Sequence, residues 1–323
     1  MNKANILIIS PATVQANNGN WRTAQRWAGF LSERYHVDIA INWLAASTPP
    51  DAMIALHARR SASALLAFAT TGRPAILALT GTDLYHDIHS DTLAQRALHA
   101  AARLVLLQPA GLAELPRALL PRAHVIYQSA PALPRAMPAV GSPFSVVMIG
   151  HLRQEKDPLT FMRAAALASA PALRFLQIGR ALQPELEAAA QDTAQRCPAY
   201  AWLGELPHDD AREQLRRSHL LALPSLMEGG ANVLIEAVTS GVPVVASDVS
   251  GNRGMLGEDY AGYFPVGDAA SLAALIDRAA GDTDFYRLLC EQCAARAPLF
   301  APEHEQASLL ALVDNALLSH RNP

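Results

Sequence analysis

Ser225-Leu-Met-Glu228-Gly-Gly-Ala-Asn-Val-Leu-Ile-Glu236-Ala237 is the stretch on which the fold and chemistry of this chain turn. Before it, the run Leu220 to Leu223 is apolar enough for a buried parallel strand, and Pro224 ends that strand. After it, a helix is expected to begin near Ala231 and to stop before Gly241. Glu228 then falls in the loop and Glu236 inside the helix. The N–H groups of Gly229, Gly230, Ala231 and Asn232 have no partner within such a helix and point out of its N-terminus, where the oxygens of a diphosphate would satisfy them. Neither glycine carries a Cβ, so those oxygens can approach closely. Carboxylates cannot hold phosphates, and Glu228 and Glu236 suit groups that donate to them, the hydroxyls of a sugar. Together these residues read as a grip for a nucleotide sugar. They also fit a helix with a glycine-rich entry and an exposed acid, so the rest of the chain has to decide.

A chain of 323 residues suits two domains of about 150 residues each. Lys plus Arg number 26 and Asp plus Glu 29, and a net charge of −3 argues against nucleic acid or anionic lipid as the main partner. Abundant alanine and only 6% aromatic residues favour a helix-rich α/β architecture. No continuous apolar stretch is long enough to cross a membrane, and the run Ile6 to Ile9 is broken by Ser10-Pro11 before it reaches signal-peptide length. A cytoplasmic protein without integral membrane association is expected. The three cysteines, Cys197, Cys290 and Cys293, form no disulfide framework. Cys290 and Cys293 lie within a helical pattern, Phe285 to Arg296, with no second pair to complete a zinc site, and read as structural.

Along the first half, short apolar runs alternate with helical segments: Ile6 to Ser10, Val37 to Asn42, Met53 to His57, Ala75 to Leu79, Leu104 to Gln108 and Val125 to Tyr127. Pro131, Pro134, Pro138 and Pro143, with Gly141, then read as an interdomain linker. A second series follows: Ser145 to Ile149, Leu173 to Ile178, Tyr200 to Leu203, Leu220 to Leu223, Val244 to Ala246 and Gly262 to Phe264. The expected fold is α/β, with two doubly wound Rossmann-like domains in tandem. The expected division is an acceptor-side domain over 1–138, a donor-binding domain over 139–302, and a C-terminal helix over 303–323 returning to the first domain. Such sheets bind ligands outside the carboxyl ends of their strands, so two facing sheets would share a cleft. Asn18-Gly19-Asn20 would then sit at a helix start on that side, although Asn-Gly is also simply a turn. Gly150-His151-Leu152-Arg153-Gln154-Glu155-Lys156 would bring three potentially cationic groups to the same edge, or form a solvated basic loop.

With these residues in view, Gly150 to Pro158, the Glu-x7-Glu stretch and Gly241-Val-Pro-Val-Val-Ala-Ser247 closely resemble the donor domain of the large GT-B glycosyltransferase family. The resemblance extends over nearly the whole chain, and its specific motifs lie between Gly150 and Pro265. It implies that His151 and Lys156 neutralise the donor diphosphate, that Glu228 contacts the donor sugar, and that Glu236 binds the ribose hydroxyls. Three positions depart from the family pattern. His151 stands where arginine is usual, with Arg153 as the candidate substitute. Thr80 of Thr80-Gly81-Thr82-Asp83 stands on the acceptor side where histidine is common, and a threonine hydroxyl is a poor base near neutral pH. Gly251-Asn252-Arg253-Gly254 lacks a common glutamate.

These departures, together with Ala55-Leu-His-Ala-Arg-Arg-Ser-Ala62, Leu79-Thr-Gly-Thr-Asp-Leu-Tyr85 and Gly254 to Asp268, resemble a narrower subgroup, the selenosugar synthases of selenoneine biosynthesis. That resemblance implies a UDP-sugar donor of the glucose or N-acetylglucosamine type, attacked by selenophosphate to form a carbon–selenium bond with loss of UDP. An anionic, polarizable selenium needs no general base, which makes the missing histidine tolerable. A small anionic acceptor does need positive charge, and Arg22, Arg26, Arg59 and Arg60 are the candidates, with Thr80 beside them. His57 fits a strand-end core position or a ligand equally well. Leaving-group stabilisation would then come from Lys156, Arg153 and the helix start, with Glu228 at the donor sugar. No Asp-x-Asp stands in the donor domain where a metal would be needed, so no metal or other cofactor is expected beyond the UDP-sugar co-substrate. Two other readings remain: a conventional glycosyltransferase with a hydroxyl acceptor, and a non-catalytic nucleotide-sugar binder. A nicotinamide-binding Rossmann protein is disfavoured, since no Gly-x-Gly-x-x-Gly follows either domain's first strand.

Overall fold

A computed structural model describes residues 3–12, 19–44, 48–136 and 141–321. Asn18 and Pro138 lie outside the described residues. The chain forms two compact units, one of residues 1–128 with 302–323 and the other of residues 129–301.

In the first unit, six parallel strands are ordered β2-β1-β3-β4-β5-β6. They are β1 Asn5–Ile9, β2 His36–Ala40, β3 Ala52–Leu56, β4 Ala75–Leu79, β5 Arg103–Leu106 and β6 Ala123–Val125. Every residue of β3 (Ala-Met-Ile-Ala-Leu) and β4 (Ala-Ile-Leu-Ala-Leu) is buried, the mark of strands covered on both faces. One face packs on Leu65 and Phe68 of the helix Ala62–Ala69 and on Ala94, Ala97 and Leu98 of the helix Thr92–Ala100. The other packs on Trp27 and Leu31 of the helix Gly19–Ser32 and on Leu309, Val313 and Ala316 of the helix Pro302–Arg321. A polar knot pins the last helix down: the fully buried carboxylate of Glu305 accepts from Arg26 Nε at 2.7 Å and from Trp27 Nε1 at 2.6 Å. Asp314 accepts in the same way from Arg34 and from the Tyr35 hydroxyl.

The second unit repeats the plan with strands in the order β12-β11-β10-β7-β8-β9, all parallel. These are β7 Phe144–Ile149, β8 Leu173–Ile178, β9 Tyr200–Trp202, β10 Leu220–Leu223, β11 Val244–Ser247 and β12 Tyr263–Phe264. The chain winds from β7 outward through β8 and β9, then returns to start again at β10 on the other side of β7, where Leu220 pairs with Val146 and Leu221 with Val147. The strand order therefore reverses between β7 and β10, and a ligand of such a sheet binds at the carboxyl edge of that reversal. The chain enters this unit at Ser129, ahead of the proline-rich stretch. Arg212 and Arg216 donate to the carbonyls of Pro131 and Pro134, and Arg135 donates to that of His219. Among the described residues no helix is long and apolar enough to cross a membrane.

Replacing Glu305 with alanine strands the mostly buried Arg26 guanidinium and leaves the Trp27 N–H unpaired. The expected loss is about 3 kcal/mol of unfolding free energy, with Glu305→Gln losing clearly less because its amide oxygen still accepts. Urea titration followed by tryptophan fluorescence measures both.

Candidate functional site

The two loops that carry the motif residues meet because their strands, β7 and β10, are neighbours. After β7 the chain passes Gly150 and closes a tight 3-10 turn over Gln154–Lys156 before the helix Pro158–Leu167. Asp157 caps that helix from a left-handed conformation at φ 45°, its carboxylate accepting from the N–H and the hydroxyl of Thr160. Lys156 is thereby directed at the β10 loop, where its Nζ donates to Glu228 Oε1 at 2.5 Å. Both groups lie largely out of water, with 17% of the lysine and 7% of the glutamate side chain exposed. Glu228 is thus a buried acid, not the exposed one that the alternative reading required. Arg153 is more open, 3.9 Å from Glu155.

The Glu228 loop is held from both sides. Leu226 N–H donates to the Glu155 carbonyl at 2.9 Å on the β7 side, and the Ser247 hydroxyl donates to the Ser225 carbonyl on the β11 side. Gly251, in the helix Ser250–Leu256, lies against the loop so closely that a Cβ there would stand 1.7 Å from the Glu228 carbonyl oxygen. The helix Asn232–Thr239 begins after Ala231 with no side-chain cap. Among the described residues the N–H groups of Gly229, Gly230 and Asn232 meet no protein acceptor, as a phosphate-binding helix start requires. Ala231 differs: its N–H turns inward to Met255 Sδ at 3.4 Å, which takes one of the four expected donors out of use. Glu236 lies one turn into the helix, 13% exposed, with Oε1 2.7 Å from His208 Nε2.

His151 follows Gly150 as expected but supplies no fixed positive charge. Burial holds its pKa below the usual histidine value; Glu205 opposes that shift, while Arg180 and Arg153 add to it. Its Nδ1 is buried without a partner. Lys156 and Arg153 are left as the cations that the motif itself brings to this edge.

In the first unit the loops after β3 and β4 are joined by a residue that the sequence reading passed over. Asp83, fully buried, accepts from the N–H groups of Thr80 and Gly81 at 2.9 Å each and from that of Ala58 at 2.8 Å. The signal was present, because an aspartate placed just past a strand end readily closes such backbone bonds. His57 is buried at φ 73°. Its Nδ1 accepts the Arg60 N–H at 3.3 Å, which leaves Nε2 to donate to the Thr82 hydroxyl at 3.2 Å. Of the four arginines, Arg26 is committed to Glu305, which relieves any repulsion from Arg22 without a bound anion. Arg59 Nε is 3.1 Å from Asp91 and its Nη1 is 3.8 Å from Asp87. Arg60 is exposed beside the start of the helix Ala62–Ala69, with no ion pair among the described residues. Arg22 is half-buried in the first turn of the helix Gly19–Ser32, as is Asn20, and Gly19 opens that helix, its carbonyl accepting from the Thr23 hydroxyl. His208 was also missed; it lies 28 positions from Glu236, and no local pattern links the two.

Residues 143–282 match the family described as glycosyl transferases group 1. A D-inositol 3-phosphate glycosyltransferase of Nocardia farcinica is 30% identical over 192 residues, covering 55% of this chain and 42% of that protein. The glycosyltransferase 1 domain-containing protein 1 of Xenopus tropicalis is 29% identical over 118 residues, covering 36% of this chain and 34% of its own length. The matches thus take in under half the length of these relatives. Among solved structures, Anabaena HepE in complex with UDP-glucose superposes with a TM-score of 0.77 at 17% identity, covering 97% of this chain and all of that one (100%). Sucrose-phosphate synthase from Thermosynechococcus elongatus gives 0.78 at 16% identity, covering 98% and 100%. At such identities the likeness shows the fold, which is GT-B, with a parallel six-stranded sheet in each unit.

Two outcomes test these geometries. Gly251→Ala must push the Glu228 carbonyl aside and is expected to lower stability by about 2 kcal/mol or more, visible as a fall in melting temperature. Burial lowers the pKa of His57 from the ordinary 6.5, against the pull of Asp83 and Asp87 and in concert with Arg60 and Arg59. The unfolded chain then takes up this proton more readily than the folded one, so the site's contribution is complete above about pH 6.5 and is lost as pH falls below it. His57→Gln should flatten the decline in unfolding free energy between about pH 7 and pH 5.

Proposed function

We propose that the protein transfers a glycosyl group from a UDP-sugar, of the glucose or N-acetylglucosamine type, to selenophosphate. The observation that carries the donor half is the convergence at the β7/β10 reversal of Lys156, Glu228, Glu236 and the unpartnered N–H groups of Gly229, Gly230 and Asn232. The N–H groups and Lys156 suit the diphosphate, Glu228 the sugar hydroxyls and Glu236 the ribose. Arg153 adds charge from the more exposed side. HepE, a protein of the same fold, is known with UDP-glucose bound, which supports this assignment.

The acceptor half is supported by the character of Thr80 and His57. A hydroxyl nucleophile profits from a nearby base, yet Thr80 is a weak one, and both ring nitrogens of His57 are engaged in the fold. Selenophosphate arrives already ionised. Its selenium attacks the anomeric carbon, the bond from that carbon to the diphosphate oxygen breaks, and UDP leaves with the electron pair. Later attack of water on phosphorus releases phosphate and leaves the selenol sugar. The chain's residues contribute by orienting the donor and by meeting the charge that grows on UDP, a role for Lys156 that requires no metal. Arg60, with Arg22, is assigned to the acceptor's phosphate.

The direct test is incubation of the purified protein with UDP-glucose or UDP-N-acetylglucosamine and selenophosphate, with UDP release and a selenium-containing sugar read by mass spectrometry. Turnover with a hydroxyl acceptor and none with selenophosphate would establish the conventional reaction instead. Lys156→Ala should lower turnover by on the order of a hundredfold, because the charge it meets is larger in the transition state than in the bound donor. EDTA should leave the rate unchanged; loss with EDTA and recovery with magnesium would overturn the metal-free mechanism. Arg60→Met should raise the KM for selenophosphate strongly and that for the UDP-sugar only slightly.

A further inference from the structure

We infer that His208 is the positioning residue for Glu236, holding its carboxylate in the orientation that receives the ribose hydroxyls; this rests on the donor reading above. The two side chains come from different elements. His208 opens the helix His208–Arg216, and Glu236 lies on the helix Asn232–Thr239. Their contact, Nε2 to Oε1 at 2.7 Å, is short and has one polarity: a carboxylate only accepts, so Nε2 carries the hydrogen. The other ring nitrogen is 3.6 Å from Oδ1 of the fully exposed Asp209, beyond hydrogen-bond range, so Glu236 is the ring's one close polar partner among the described residues. Pro207 precedes His208 at φ −51° and fixes the backbone from which the ring projects.

The consequence falls on Glu236. Its side chain is mostly enclosed and Oε1 is taken, while Oε2 meets no protein donor among the described residues. A vicinal diol brings two donors, and a carboxylate whose plane is already set accepts both without first losing side-chain freedom. The pair is also a poor candidate for a purely structural role. About a third of the His208 side chain is exposed (32%), and the contact closes no apolar core.

The test compares UDP with 2′,3′-dideoxyuridine diphosphate, which lacks the hydroxyls in question, by calorimetry on the full chain. Wild type should bind UDP at least about tenfold more tightly than the dideoxy compound. His208→Ala should weaken UDP by about tenfold and leave the dideoxy compound within about twofold, so that the preference collapses, while His208→Gln, whose amide still donates, recovers most of it. In turnover the KM for the donor rises and kcat stays nearly constant. Equal weakening of both ligands, an unchanged preference, or a shared loss of melting temperature without rescue by glutamine overturns the inference and leaves the donor reading standing. Wild type that binds both ligands equally removes the ribose role of Glu236, and the inference with it. Wild type that binds neither removes the donor reading itself.

Discussion

The ion pair between Lys156 and Glu228 is the constraint on which the second unit's working edge depends. Each partner is expensive to keep away from water alone, and each is kept there only because the other is within 2.5 Å. The pair ties the loop after β7 to the loop after β10 across the place where the strand order reverses. The remaining contacts follow from that geometry. Leu226 can reach Glu155, Gly251 can press on the carbonyl of Glu228, and the helix that follows can begin with its N–H groups open. In this arrangement the lysine is already oriented by a carboxylate before any phosphate arrives. A diphosphate at this edge would have to share that partner or displace it onto other donors.

The first unit solves a similar problem by other means. Asp83 takes three backbone N–H groups and so fastens the loop after β3 to the loop after β4 without any basic side chain. His57 is drawn into the same network in a neutral state, at the cost of a left-handed backbone. The result is a pair of loops fixed to each other, with the charged groups Arg59 and Arg60 exposed beside them.

How much of this was legible in the sequence depends on range. Eleven of the twelve strands could be read closely, the central ones because a strand covered on both faces is a continuous apolar run such as Ala75 to Leu79 or Leu220 to Leu223, whereas the sixth, the half-buried Ala123–Val125, shares only Val125 with the expected run Val125 to Tyr127. The glycine-rich helix start was legible for the same local reason. What could not be read were the contacts that tertiary pairing decides. Arg26 looked like a free cation on a helix face, and only the packing of residues 279 positions away supplies Glu305. His151 looked like a basic residue, and only its burial makes it neutral. The donor of Ala231 looked available until Met255 was brought beside it.

The helix Pro302–Arg321 lies on the first unit although the whole of the second unit precedes it in the chain. During synthesis the sheet face lined by Ile54, Ile76 and Val105 therefore has only the helix Gly19–Ser32 to cover it until residues beyond 301 leave the ribosome. The second unit is one uninterrupted segment and meets no such delay. Order of appearance and order of completion are thus reversed: the unit that begins first finishes last, and its exposed apolar face is a natural client for a chaperone in the interval.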